Sequence, residues 1–196
     1  KMTNGQPYAI ILAQMQSGKT GTYLFTAMEM IRLNIVDRVV IICGSAETSL
    51  REQAKDDVHK ALKEYQTGLL EGDDTVGAMT LLKASIDVHF SNELTTIKGI
   101  TCRTLVIHEE CHMAQSKTNK PYKEFYKQNG FDGALLGDFS QLNSKTNFIL
   151  GVSATPFSEI VANNAQDEGL GPSEMVTELS EKYIHQMDPG PGFLGV

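Results

Sequence analysis

The sequence contains no apolar run near the roughly 20 residues that cross a bilayer, and no basic, apolar and small-residue succession at its start. Those absences exclude a membrane-spanning helix and an ordinary secretory leader, and the expectation is a soluble, cytoplasmic protein with no membrane partner. Cysteine is scarce. Cys43, Cys102 and Cys111 are odd in number and show no paired spacing, which excludes a disulfide framework and suits a reducing compartment. Their simplest role is as small core residues, with Cys111 a spacer. Net positive charge is missing too: 17 Lys and Arg face 24 Asp and Glu, a balance of -7. The deficit is local. Residues 1–156 hold 16 basic against 17 acidic residues, whereas 157–196 hold Lys182 against seven acids. The body is near neutral and able to meet phosphates through loops and helix N-termini, but it is not built for strong nonspecific binding to nucleic acid.

What is present has an ordinary globular composition, 41% hydrophobic and 21% charged, and suffices for one sizeable domain with a tail. Residues 1–7 form a polar lead-in, in which Gln6 is either a solvated turn residue or one that reaches an adenine edge. Apolar runs at 8–12, 38–43, 86–90, 104–108 and 148–152 read as strands. Leu24, Met28 and Ile31 recur at helical spacing, predicting a helix over about 19–33. Ser49-x-x-Glu52 reads as a capping box ahead of a second helix with a stripe at Leu50, Ala54, Val58, Ala61, Leu62 and Tyr65. Residues 67–75 read as an exposed turn, and Ser91 to Leu94 as the cap of a short helix. Strand alternating with helix gives βαβ crossovers, hence a three-layer α/β domain with a mainly parallel sheet. The stretch 116–130 places Lys117, Lys120, Lys123 and Lys127 among Tyr122, Phe125 and Tyr126. It suits phosphates and bases, or equally an amphipathic helix with a solvated lysine face. Residues 158–196 read as an acidic tail or linker through Pro189-Gly190-Pro191-Gly192. The chain opens at Lys1 rather than Met and closes without a stop-like element, as a fragment of a longer protein would.

The organising stretch is Ala13-Gln14-Met15-Gln16-Ser17-Gly18-Lys19-Thr20, between the first strand and the first helix. Strand, small-residue turn and helix N-terminus together are the context of a phosphate-binding loop. A nucleoside triphosphate brings concentrated negative charge, met here by the backbone from Gln16 to Gly21, a helix dipole and the ammonium of Lys19. Gly18 lets the backbone approach, and the Thr20 hydroxyl is placed to ligate Mg²⁺. The first position of the motif is Ala13 where the usual pattern has Gly, and a Gly-Lys-Thr by itself also occurs as a plain helix start.

His108-Glu109-Glu110-Cys111-His112 admits incompatible readings. As His-Glu-x-x-His on a helix it would hold zinc through His108 and His112, with Glu109 activating water and only Glu124 offering a third ligand. As the end of a strand it is a Walker-B-like acid pair, or simply a charged turn. The β-branched run before it favours the strand. Glu109 would then hold Mg²⁺ through a water, and Glu110 would orient and deprotonate the water attacking the γ-phosphate. Both acids would lie at the carboxyl end of a strand, where open α/β sheets bind ligands. Ser153-Ala154-Thr155 is a weak signal alone and gains value as the third element in order, each at the end of an apolar strand.

The order and separations of AQMQSGKT, EECH and SAT closely resemble the first motor domain of superfamily 2 helicases and translocases, the DExH/DEAH-like group, over residues 8–157. In that family alanine at the first loop position is common. The resemblance implies a RecA-like P-loop NTPase fold that uses ATP and Mg²⁺. Lys19 and Thr20 would bind triphosphate and metal, Glu109 would replace the usual Asp, Glu110 would be the catalytic acid, and His112 would link the nucleotide site to Ser153 and Thr155. Gly44 and Ser45, with Arg51 and Gln53, and then Ser91 and Asn92, would lie along a nucleic-acid backbone, DNA favoured over RNA. The QSGKT form resembles virus- and phage-type members, for which the location would be host-cell cytoplasm or nucleus. Two departures stand out. Glu109 adds a methylene to the metal-side acid, and no arginine follows Ser153, so the arginine fingers of a second RecA-like domain must come from elsewhere. A non-enzymatic alternative is a nucleotide-gated interaction module that docks a partner through its acidic tail.

Overall fold

A computed structural model describes residues 8–12, 18–43, 48–97, 100, 103–110, 125, 128–129, 147–153 and 184–187. The elements in chain order are β1 (Tyr8–Leu12), α1 (Lys19–Arg32), β2 (Arg38–Cys43), α2 (Thr48–Glu71), α3 (Thr75–Lys83), β3 (Ser85–Phe90), a 3-10 helix (Ser91–Thr96), β4 (Thr104–Glu109), β5 (Phe148–Ser153) and β6 (Ile184–Gln186). Among the described residues six strands form one sheet in the order β3-β2-β4-β5-β1-β6, and every neighbouring pair is parallel. The α/β class and the parallel sheet agree with the sequence reading.

The reason lies in the strand composition. A parallel sheet needs cover on both faces, so its inner strands must be apolar throughout. β4 and β5 are buried along nearly their whole length, and β2 from its second residue, while the edge strand β3 is half-exposed up to Phe90. Ala9, Ile11, Val39, Ile41, Leu105, Ile107, Leu150 and Val152 face α1 to form the main core with Tyr23, Leu24, Ala27, Met28 and Ile31. The alternate row, including Ile10, Val40, Ile42, Val106, His108 and Ile149, is buried as deeply on the other face. Each fully buried side chain of Leu, Ile or Met size contributes about 1.5–3 kcal/mol, which outweighs the weak intrinsic helix preference of α1.

α1 ends where its apolar stripe ends. Asn34 takes a left-handed φ of 56°, and the amides of Asn34 and Ile35 close back on the carbonyls of Ile31 and Met30.

Several expectations need correction. Residues 67–75 are not one exposed turn, because α2 continues to Glu71 and only Gly72 to Asp74 turn before α3, an element absent from the sequence reading. Tertiary contacts override composition there: Tyr65 donates its hydroxyl to Glu29, and Arg32 pairs with Asp74 at 3.3 Å. Ser49 is not the N-cap of α2, since the helix already includes Thr48. Ser91 is likewise inside its short helix, whose cap is Phe90, the backbone N–H of which donates to the Glu93 carboxylate at 3.2 Å. Within the stretch read as an acidic tail, Ile184–Gln186 is a strand, paired along β1. Among the described residues no helix is long and apolar enough to cross a membrane.

Candidate nucleotide site

Register brings the three motifs together. Leu12 at the end of β1 lies beside Ser153 at the end of β5, and Val152 lies beside Glu109 at the end of β4. Because all three strands run the same way, their last residues share one edge of the sheet, the carboxyl edge on which ligands of open α/β sheets sit.

Gly18 opens α1 in the left-handed region, φ 83°, which an L side chain enters only with strain. It has no side chain to cap the helix, and the first turn of α1 carries no acid. Among the described residues no group outside the helix accepts from its first amides, which leaves those donors for an anion. Lys19, the first helical residue, sets its Nζ 3.7 Å from Oε1 of Glu110, with side chains 17% and 39% exposed. Glu110 itself has φ 50°. Asn34 and Asp73, left-handed at helix ends, have short side chains that ease this conformation, whereas Glu110, like Arg103 (φ 37°), does not. The strained residue stands where the strand stops and the acid turns toward Lys19, as functional loops often show.

Glu109 is held differently. It ends β4 on the α1 face, and the Tyr23 hydroxyl donates to its Oε1 at 2.6 Å. Burial first, then the charge of Glu109 and this hydrogen bond, push the ionisation of Tyr23 far above the phenol value, with a Thr20 hydroxyl hydrogen bond pulling the other way. The Cys43 thiol, at the end of β2, is pushed up to about 12 by burial and then by the charge of Glu109. Both therefore stay protonated at neutral pH, and Tyr23 donates to the carboxylate. The sequence reading passes over Tyr23 and takes Cys43 only as a small core residue. The available signals were only that Tyr23 lies one helical turn after Lys19, and that Cys43 closes a strand beside β4.

A third unforeseen contact comes from the far end of the chain. The Met187 amide donates to the Leu12 carbonyl at 2.8 Å, and the Thr22 hydroxyl lies 3.2 Å from the Met187 sulfur. Thus Met187, directly after β6, packs on the first turn of α1.

Of the other sequence-derived residues, Thr20 is part-buried in the first turn of α1 and Gly21 is exposed beside it. Ser153 is fully buried. Gln53 and Asn92 are exposed. β3, ahead of Asn92, lies four strand positions from β1, about 19 Å across the sheet. Ala13, Gln14, Met15, Gln16, Ser17, Gly44, Ser45, His112, Glu124 and Thr155 lie outside the described residues, as do the side chains of Arg51 and Ser91. The zinc reading is overturned on its own terms. It required a helix through 104–114, but Thr104–Glu109 is a strand, and alternation sends His108, fully buried, to the face opposite Glu109.

Oxygen donors and one ammonium at an uncapped helix N-terminus fit a magnesium nucleotide. Thr20, Glu109 and Glu110 offer hard ligands for Mg²⁺, which is held by one or two carboxylates together with substrate phosphates. Fold and site together define a P-loop, RecA-like ATP-binding domain of the helicase type. Residues 1–158 match the family model described as type III restriction enzyme, res subunit, and the chain belongs to that family. Comparison with curated proteins returns no match.

Proposed function

We propose that this chain is the ATP-hydrolysing N-terminal motor domain of a superfamily 2 helicase or translocase of the DExH group, acting on DNA together with a second RecA-like domain. The observation that carries the proposal is the approach of Lys19 to Glu110 in front of the uncapped α1 N-terminus. A pair this exposed holds together by no more than about 1 kcal/mol, so little is lost when a polyphosphate takes the ammonium.

In this reading the α1 amides and the backbone from Gln16 to Gly21 cradle the phosphates, and Lys19 neutralises the transferring group. Thr20 and Glu109 would hold Mg²⁺, which would supply positive charge to neutralise the phosphates. Glu110 accepts a proton from the attacking water and fixes its line of approach. His112, Ser153 and Thr155 couple the nucleotide site to movement. Gly44, Ser45, Arg51, Ser91 and Asn92 track the nucleic-acid backbone along the carboxyl edge of the sheet.

Glu110→Gln tests the central role. The variant is expected to bind ATP as the parent does and to lose about 10²–10⁴-fold in hydrolysis. Turnover equal to the parent removes Glu110 as the base. ATP binding by the parent with no turnover that nucleic acid stimulates supports the nucleotide-gated interaction module instead.

A further inference from the structure

We infer that Tyr23 is a positioning residue for the metal-side acid, fixing the carboxylate of Glu109 where a hard cation beside the bound phosphates takes it as a ligand. The inference rests on the metal role proposed for Glu109 and adds a residue that no motif supplies. Glutamate carries one more rotatable bond than aspartate, so an unrestrained carboxylate at 109 would spread over several positions. Here it is held from the helix side. Tyr23 is 3% exposed and reaches from α1, and the 2.6 Å separation lies in the short range of a hydroxyl donating to an anion. Cys43, itself buried at the end of β2, the strand next to β4, lies close enough for the Glu109 charge to reach its thiol. One helix thus presents the Lys19 ammonium, the Thr20 hydroxyl and, one turn later, the clamp on the acid. Partners that hydrogen-bond a ligating carboxylate set its orientation, and their loss typically costs about 10–100-fold in metal affinity.

The test uses the intact protein with a nonhydrolysable ATP analogue and Mn²⁺ as the probe, free Mn²⁺ being read by electron paramagnetic resonance. Tyr23→Phe is expected to weaken Mn²⁺ binding in the nucleotide complex by about 10–100-fold while metal-free nucleotide affinity is unchanged. Aspartate at 109 is too short to meet Tyr23, so in a Glu109→Asp background the same Tyr23→Phe change is expected to have no further effect. Parent-like Mn²⁺ affinity in Tyr23→Phe overturns the inference even if its melting temperature falls, because that result marks a purely structural pair. A full effect surviving in the Glu109→Asp background overturns it as well, since Tyr23 would then act through another group. A parent protein that shows no nucleotide-dependent Mn²⁺ binding defeats the proposed function and takes this inference with it.

Discussion

The N-termini of α1 and α3 solve the same problem in opposite ways. Every helix begins with amides that have no partner inside the helix. At α3 the carboxylate of Asp74 accepts from the Gly77 amide at 2.9 Å and pairs with Arg32 at 3.3 Å, so that end is satisfied within the protein. At α1 the cap is Gly18, among the described residues no side chain accepts from the first turn, and a cation rather than an acid occupies it. The acid Glu110 meets Lys19 from outside the helix, just past the end of β4. The contrast separates an end made for folding from an end that retains its donors for a ligand. It also gives opposite expectations for substitutions at the two places.

The largest effect is expected at Lys19. Lys19→Ala removes the only side-chain cation in the first turn of α1, and a hydrogen bond to a charged group is worth about 1.5–3 kcal/mol, so nucleotide affinity is expected to fall by roughly 10–150-fold. The fold should barely notice. The ion pair with Glu110 is partly exposed, and its loss is expected to change the unfolding free energy by about 0–1 kcal/mol. Fluorescent-nucleotide titration and urea unfolding, run on the same variant, check both halves. A Lys19→Ala protein that binds nucleotide normally would remove the distinction between the two helix ends.

Gly18→Ala probes the same end through the backbone. Ala at φ 83° costs about 1–2 kcal/mol, and among the described residues a Cβ there meets only Met187 Cε, at 3.8 Å, so the expected loss is conformational strain rather than collision. Relief of that strain re-aims the first amides, and nucleotide affinity is expected to fall together with the urea midpoint. Unchanged stability would mean that the left-handed conformation at Gly18 is not required.

How much of this was readable beforehand depends on the physics of each element. β1, β2, β4 and β5 announce themselves, because a strand covered on both faces must be a continuous apolar run. The convergence of Lys19 and Glu110 was likewise legible, since both come after such strands and a parallel sheet delivers its strand ends to one edge. α3 was hidden. It carries Thr75, Gly77 and Thr80 in nine residues, buries only Gly77, Ala78 and Leu81, and depends on the Asp74 cap more than on its own pattern. β6 is three residues long and is held by backbone bonds to β1, for which sequence has no signature. The Tyr23–Glu109 bond joins residues 86 positions apart, and nothing in the spacing of either motif points to it.

The smallest effect belongs to the satisfied end, and it completes the comparison. Asp74→Ala removes the N-cap of α3, for which the expected cost is about 0.5–2 kcal/mol of stability. Gly77 sharpens the expectation: a Cβ at 77 would stand 2.5 Å from the Asp74 carboxylate and 2.8 Å from Arg32 Cγ, so the cap and the glycine that admits it are one unit. Nucleotide affinity should not move, because α3 leads into β3 at the opposite side of the sheet from β1, away from the strand ends that carry Glu109 and Glu110 beside α1. Urea unfolding together with nucleotide titration of Asp74→Ala reads both. A drop in stability with unaltered affinity is the mirror image of the result expected at Lys19, whereas a matching loss of affinity would mean that the capped end also supports the site and that the two termini are not independent.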